Sequence, residues 1–535
     1  MTASAIPETS VLEVREALLA RQEIALLDVR EEDPYAQGHP LFAANLPAGR
    51  IELDAWTRIP RRDTLIVVYD DGEGLAEPAA RTLQRLGYTR VTLLAHGLQG
   101  WRDAGGELFI DVNVPSKSFG ELVEAERHTP SLAAEEVQAL IDAKADVVVL
   151  DARRYDEYHT MNIPTGVSVP GAELVLRARA LAPNPATQII VNCAGRTRSI
   201  IGTQSLVNAG IPNPVAALRN GTIGWLLAGQ TLERGASRRF DPAVHIDRAQ
   251  APAQARNVAD RAHVQRAQAG DLARFAAEAG RTTYLLDVRT PEEFAAGHLP
   301  GFRNIPGGQL VQETDHTAAV RGARLVLVDD DGVRANMSAS WLAQMGWEAW
   351  VLDGAQPSDF SETGAVANTV PEPEGPIAWT TPAQLDAWLK EEEQAPGRTA
   401  VLDLTTSANY TQRHIPGAWF VIRAQLAQAV ATIPRAERYV LTCGRSLLAR
   451  YAAQDLARLT GAEVQVLEGG TLAWIAAGLP LEHGETRLAS PRTDRYRRPY
   501  EGTESPREAM QAYLDWEFGL VEQLGRDGTH GFRVI

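Results

Sequence analysis

The sequence predicts an α/β protein of four repeated domains, each a mostly parallel sheet flanked by helices. Three observations lead there. A short apolar strand ending in Leu-Asp recurs four times along the 535 residues. Each copy is followed by a second apolar strand that runs into a polar loop and a helical pattern. Those helices stop at Gly87, Gly210, Gly346 and Gly461, as expected where a helix end needs the left-handed conformation.

Taken in order, the first strands are Ala25-Leu26-Leu27-Asp28-Val29-Arg30, Val148-Val149-Leu150-Asp151-Ala152-Arg153, Tyr284-Leu285-Leu286-Asp287-Val288-Arg289 and, more loosely, Ala400-Val401-Leu402-Asp403-Leu404-Thr405. A helical pattern precedes each, for example Ala134-Glu135-Glu136-Val137-Gln138-Ala139-Leu140-Ile141. Proline turns follow at Asn162-Ile163-Pro164, His298-Leu299-Pro300-Gly301 and His414-Ile415-Pro416-Gly417. The second strands are Leu65-Ile66-Val67-Val68-Tyr69, Ile189-Ile190-Val191-Asn192, Leu325-Val326-Leu327-Val328-Asp329 and Tyr439-Val440-Leu441-Thr442. A third strand closes on a glycine turn that carries Trp101, Trp225 or Trp474; the third copy keeps only Leu352-Asp353-Gly354.

These elements divide the chain into domains at 1–110, 128–236, 257–357 and 377–484, with a tail at 485–535. Linkers are expected near 111–127, 237–256 and 358–376, the last marked by Glu372-Pro373-Glu374-Gly375-Pro376. The tail begins Arg-rich and then turns helical and aromatic over Ala509-Met510-Gln511-Ala512-Tyr513-Leu514-Asp515-Trp516. It is expected to pack across the domains, or between the subunits of a homodimer, and to carry no chemistry.

Bulk properties narrow the function classes. No apolar run approaches the ~20 residues of a membrane span. The N-terminus lacks the basic start and apolar stretch of a signal peptide. The net charge of −16, with no basic block, argues against nucleic-acid and anionic-membrane partners. The two cysteines, Cys193 and Cys443, are far apart, which excludes a disulfide framework and suits a reducing, cytoplasmic setting. No metal-ligand spacing is visible, and no cofactor is expected. Lysine occurs only at 117, 144 and 390, so arginine carries the positive charge.

Chemistry concentrates where the second strands end. Cys193-Ala194-Gly195-Arg196-Thr197-Arg198-Ser199 places a thiol at a tight loop before a helix, where backbone N–H groups and the helix N-terminus converge. Two arginines in that loop favour a thiolate with an anion beside it. An ungapped comparison puts Asp70, Cys193, Asp330 and Cys443 at one position, so acid and thiol copies alternate. The fourth loop, Cys443-Gly444-Arg445-Ser446-Leu447-Leu448-Ala449, is more apolar. Asp70 and Asp330 are expected to cap helices.

With these motifs in place, the chain resembles a rhodanese-type sulfurtransferase carrying four rhodanese-like domains, arranged as two tandems end to end. The resemblance rests on the Leu-Asp-x-Arg strand ends, on Gly297-His298-Leu299-Pro300-Gly301, and on the cysteine loops. It implies transfer of sulfane sulfur through a cysteine persulfide, from a thiosulfate-like anion to a thiol or cyanide. Cys193 and Cys443 are then the catalytic candidates. Ala194, Gly195, Arg196, Thr197, Arg198, Ser199, Gly444, Arg445 and Ser446 are the substrate-binding ones. Arg198 follows Cys193 after four residues, one fewer than in cysteine phosphatases, so the loop is sized for sulfur rather than phosphate. Rival readings are a persulfide carrier or scaffold, and a phosphatase or arsenate reductase on the same fold.

Weighed individually, His298 and His414 read as hydrogen-bonding turn residues rather than bases. Asp151 with Arg153, and Asp287 with Arg289, read as structural ion pairs. Trp225 and Trp474 read as packing residues.

Overall fold

The computed structural model describes residues 5–241, 250–501 and 506–535. Each repeat is a five-stranded, all-parallel sheet in which the first strand sits at one edge, followed by the fifth, fourth, second and third. In the second domain the order is Ser131–Leu132, Val215–Leu218, Gln188–Asn192, Val147–Asp151 and Val167–Ser168. The central strands are buried on both faces, as helices crossing between parallel strands require. Loops at the carboxyl ends of central strands form a natural crevice in such sheets, and the cysteines are placed there.

Strand register fixes which residues are equivalent. Asp28 faces Tyr69, Asp151 faces Asn192, Asp287 faces Val328 and Asp403 faces Thr442. The next residues are therefore Asp70, Cys193, Asp329 and Cys443. This corrects the ungapped alignment: the third copy presents Asp329, not Asp330, because its strand ends at Val328.

The Leu-Asp-x-Arg strand ends are buried ion pairs. Arg30 to Asp28 measures 2.6 Å, Arg153 to Asp151 2.7 Å and Arg289 to Asp287 2.6 Å. Each arginine also donates to a carbonyl in the turn that follows, Gly38, Met161 or Gly297. One guanidinium thus neutralises the carboxylate and ties down the loop. The fourth copy has Thr405 in place of arginine, leaving Asp403 with a 2.9 Å bond from the Thr405 N–H and with Oδ2 buried and unpartnered.

His298 and His414 stack on Phe294 and Tyr410, and each gives a ring N–H to that residue's carbonyl, at 2.9 and 2.7 Å. Trp101, Trp225 and Trp474 are buried, and each indole N–H reaches the carbonyl six residues on.

Contacts between repeats are extensive. The first and third domains share a core that includes Leu27, Tyr284, Leu325 and Trp341, and Ile24 exchanges backbone hydrogen bonds with Arg321. The expected linker at 111–127 is largely a helix, Val114–Arg127, which buries Phe119 and Val123 and packs on the helix Thr197–Asn208. The expected linker at 237–256 lies partly outside the described residues, and a helix, Gln250–Arg261, begins inside it. The tail forms the helices Arg507–Phe518 and Leu520–Asp527, and its end reaches the third domain, where the Arg533 N–H bonds the Gln344 carbonyl. Among the described residues no helix is long and apolar enough to cross a membrane.

Candidate functional site

The strand-to-helix loop builds the same cradle in all four copies. The N–H six residues past the key position points back at that residue's side chain. The Ala76 N–H bonds Asp70 Oδ2 at 2.9 Å and the Ala335 N–H bonds Asp329 Oδ2 at 2.7 Å. The Ser199 N–H serves Cys193 and the Ala449 N–H serves Cys443. In the acid copies a carboxylate takes the amides that a cysteine sulfur takes in the others. Asp70 therefore holds its loop and takes the first N–H of the helix Ala76–Arg85, but the helix N-cap is Leu75 rather than the aspartate expected there. In the third copy Asp329 and Asp331 do the capping, while Asp330 pairs with Arg334 and Arg289.

A glycine turn clamps each cysteine loop from behind. Gly221 has φ +55°, and a Cβ there would stand 2.4 Å from the Cys193 carbonyl oxygen; at Gly470 the same atom would lie 2.2 Å from that of Cys443. Only glycine permits that approach. The neighbouring N–H groups bind the loop: Thr222 to the Cys193 carbonyl at 2.9 Å and Thr471 to the Cys443 carbonyl at 2.9 Å.

Cys193 is buried, 2% exposed, with Sγ 3.3 Å from Ser199 Oγ. Burial pushes its thiol up, the Arg198 guanidinium and the Ser199 hydroxyl and N–H oppose the rise, and Glu517 adds to it. Ser199 Oγ also donates to the Arg196 carbonyl at 2.8 Å. Ala194 contributes its carbonyl to the clamp, accepting from the Ile223 N–H at 3.0 Å. The Thr197 hydroxyl is buried without a partner.

The two arginines have different surroundings. Arg196 forms a buried bidentate pair with Glu121 at 2.7 and 2.8 Å, also contacts Glu124, donates to Asn220 Oδ1 at 3.1 Å and stacks on Phe518. Its fork ties the loop to the helix Val114–Arg127, which corrects the expectation of a free oxyanion ligand at that position. Arg198 pairs with Glu157 at 2.7 and 2.8 Å yet remains the cation that acts on Cys193. Burial opposes it, but Arg198, with Arg153 and Arg154, holds Glu157 down at about 2. A cavity of about 810 Å³ lies between the second and third domains, with Thr197 and Arg198 sharing its wall with Phe119, Ile201, Met337 and Trp341.

The tail closes the other side of this loop, which the sequence did not reveal. Met510, Tyr513 and Leu514 pack on Ile223. A Cβ on Gly195 would meet Glu517 Oε2 and Tyr513 Cε1 at 3.2 Å. The tail thus packs across the domains, as expected, and one face of it lies against the Cys193 loop. The helical aromatic spacing at 509–516 was the available signal, but it gave no indication of a destination.

Cys443 is 7% exposed and is cradled by the N–H groups of Ala449, Leu448 and Arg445; burial pushes its thiol up, and Asp403 adds to that. Leu447 and Leu472 are exposed beside it, and nothing approaches a Cβ on Gly444 within 4 Å. Arg445 is exposed. Ser446 has φ +66° and donates its hydroxyl to the Leu467 carbonyl at 2.5 Å, which commits it to the scaffold rather than to a ligand. Burial pushes Asp403 up to about 7, against the pull of the Thr405 N–H.

Comparison with known proteins agrees with this geometry. The profile of the rhodanese-like domain matches residues 11–104, 133–228, 269–356 and 381–477, well over half of the chain. The crystal structure of a thiosulfate sulfurtransferase from Pseudomonas aeruginosa is 68% identical, with a TM-score of 0.96, covering 99% of this chain and 100% of that one. A putative sulfur carrier protein, YrkF, of Bacillus subtilis is 28% identical over 99 residues; the match spans 18% of this chain and about half, 52%, of that relative. An HTH-type transcriptional regulator of Mycobacterium tuberculosis, Rv0324, is 33% identical over 208 residues, covering 38% of this chain and 86% of that protein. With four repeats matched and four cradles of one design, the chain belongs to the rhodanese-like domain family and is a rhodanese-type transferase.

Proposed function

We propose that the chain moves sulfane sulfur from thiosulfate or a similar donor onto Cys193, and from there to a thiol or cyanide. The Cys193 thiolate attacks the outer sulfur of the donor. The donor's S–S bond breaks, its electron pair leaves with sulfite, and a persulfide remains on Cys193. An acceptor thiolate or cyanide then attacks the terminal sulfur and restores the Cys193 thiolate. The observation that carries this reading is the position of Arg198, a partly buried cation acting on a buried thiol at a helix N-terminus. It stabilises the thiolate and presents positive charge to an oxyanion. The name of the Pseudomonas aeruginosa neighbour supports thiosulfate as donor. Two unpaired cysteines fit a reducing, cytoplasmic compartment.

Cys443 is read as a second persulfide site, working as a carrier toward a more apolar acceptor. Three backbone N–H groups aimed at its sulfur and the exposed Leu447 and Leu472 favour that role. Steady-state thiosulfate:cyanide turnover separates the two sites. Cys193→Ser is expected to abolish it and Cys443→Ser to leave most of it. Full turnover in Cys193→Ser would reject the assignment.

A further inference from the structure

The second and third domains meet in a quasi-symmetric contact whose two halves are unlike. Counted from the strand-end aspartates Asp151 and Asp287, Gly171, Ala172 and Glu173 correspond to Gly307, Gly308 and Gln309. These short helical segments cross at reciprocal pairs. A Cβ on Gly308 would stand 3.1 Å from the Gly171 nitrogen, and one on Gly307 would stand 2.9 Å from the Ala172 Cβ. Arg198 and Arg334 correspond in the same way, counted from Cys193 and Asp329. On one side Glu173 reaches across the contact, and its Oε1 accepts from Arg334 Nη1 at 2.8 Å. On the other side the counterpart is Gln309, a neutral residue whose amide N–H goes to Glu313 at 3.2 Å instead. The contact is closed at Arg334 and open at Arg198, where Arg198 and Gln309 both line the cavity of about 810 Å³.

We propose that this cavity is a binding site for an amphipathic organic anion, a single acidic head group on an apolar body. Phe119, Val175, Ile201, Val311, Met337 and Trp341 supply apolar wall from three sides, the linking helix and both domains. Such a surface is costly to leave against water. The volume is far larger than a thiosulfate ion needs and falls in the range of sites that enclose cofactor-sized molecules, which are likewise mostly apolar with a few polar groups. Among the described residues Cys193 does not line the cavity, so this site is a separate one that shares only the Thr197 and Arg198 end of the loop.

Charge on the wall is one-sided, which sets the sign of the head group. The second domain contributes Arg154, Arg177, Arg198 and Arg239 against a single carboxylate, Glu173. That carboxylate is already divided between Arg177 at 3.1 Å and Arg334 at 2.8 Å. Arg177 is 4% exposed, and its Nη1 has no hydrogen-bond partner; the buried Thr197 hydroxyl also lacks one. Buried donors without acceptors are costly, and a carboxylate or sulfonate drawn to this wall supplies the missing oxygens. On the third domain's wall Glu293 is held by Arg334 at 2.6 Å. Arg154 and Arg239 from one domain and Glu292 from the other are exposed, so the mouth lies between the two domains.

Binding is measured at equilibrium on the full-length chain, without turnover, so the outcome does not depend on the sulfur-transfer proposal above. The probe is the fluorescent anion anilinonaphthalene sulfonate, and its uncharged parent, phenylnaphthylamine, is the comparison. The sulfonate is expected to bind at one site at least about tenfold more tightly than the uncharged probe. Energy transfer from tryptophan to the bound sulfonate should fall in Trp341→Phe, because Trp341 lines the cavity. Ala296→Trp, at an exposed helical position on the wall, should fill the space and weaken the sulfonate at least about tenfold. Arg239→Ala should weaken the sulfonate about threefold and leave the uncharged probe unchanged. Unaltered sulfonate binding in Ala296→Trp with a parental melting temperature would overturn the proposal, as would equal affinities for the two probes. The comparison of probes needs no variant and decides the matter even where Ala296→Trp fails to fold.

Discussion

Cys193 and Cys443 end equivalent strands, face the N–H six residues on, and have their carbonyls clamped by equivalent glycine turns. Their surroundings diverge. Cys193 has Arg198 and Ser199 beside it, a paired Asp151 beneath it and the tail against its loop. Cys443 has an amide cradle, an apolar rim and an Asp403 that lacks its arginine. The fold therefore supplies one place for a cysteine, and side chains that vary within the repeat, together with the tail, set its surroundings. The acid copies reinforce the point, since Asp70 and Asp329 occupy the same amides with a group unable to carry sulfur.

The widest separation between the two loops should come from arginine. Arg198→Ala is expected to lower Cys193-dependent turnover about 100-fold, because it removes the cation beside the developing charge and strands Glu157. Arg196→Ala should instead act on stability, costing about 3 kcal/mol in urea unfolding by leaving Glu121 buried without a partner, with a much smaller effect on rate. Equal rate losses in the two variants would remove the distinction between them.

Asp403 gives the next effect, through pH. Its folded-state acid is weaker than a free carboxyl, so the folded fourth domain holds a proton that the unfolded chain releases. The resulting stabilisation is present at acid pH and is lost as pH rises from about 4 through about 7. Thr405→Arg recreates the pair seen at Asp28, Asp151 and Asp287. It should flatten that decline and raise the melting temperature of the fourth domain by about 2–4 °C at alkaline pH. A melting curve with the parental pH dependence would contradict it.

The smallest effect compares equivalent glycines. Gly195→Ala presses a methyl on Glu517 and Tyr513 and should cost about 1 kcal/mol, with faster proteolysis of the tail. Gly444→Ala meets nothing within 4 Å and should change stability by less than about 0.5 kcal/mol. Equal costs would mean that the tail does not press on the Cys193 loop.

Much of this architecture was legible in the sequence, because buried parallel strands are short apolar runs and the Leu-Asp-x-Arg ends repeat. The third copy slipped by one residue because Asp329-Asp330-Asp331 offers three equivalent choices, and only strand pairing selects among them. The helix Val114–Arg127 was hidden by its polar residues, of which Ser116, Lys117, Ser118 and Glu121 are buried alongside Phe119 and Val123. Composition treats Arg196 and Arg198 alike. Their partners Glu121 and Glu157 come from different elements, and only the folded chain shows which guanidinium is committed to scaffold. Glu517 was least legible of all, since a glutamate on an exposed-looking tail helix carries no mark of burial until the tail is docked.

The most direct test of the account is peptide mass spectrometry of the full-length protein after brief treatment with thiosulfate, reading sulfur on Cys193 and Cys443 separately. The account predicts one added sulfur on Cys193 first, discharged by an added thiol. Sulfur confined to Cys443, or turnover with neither cysteine modified, would contradict it.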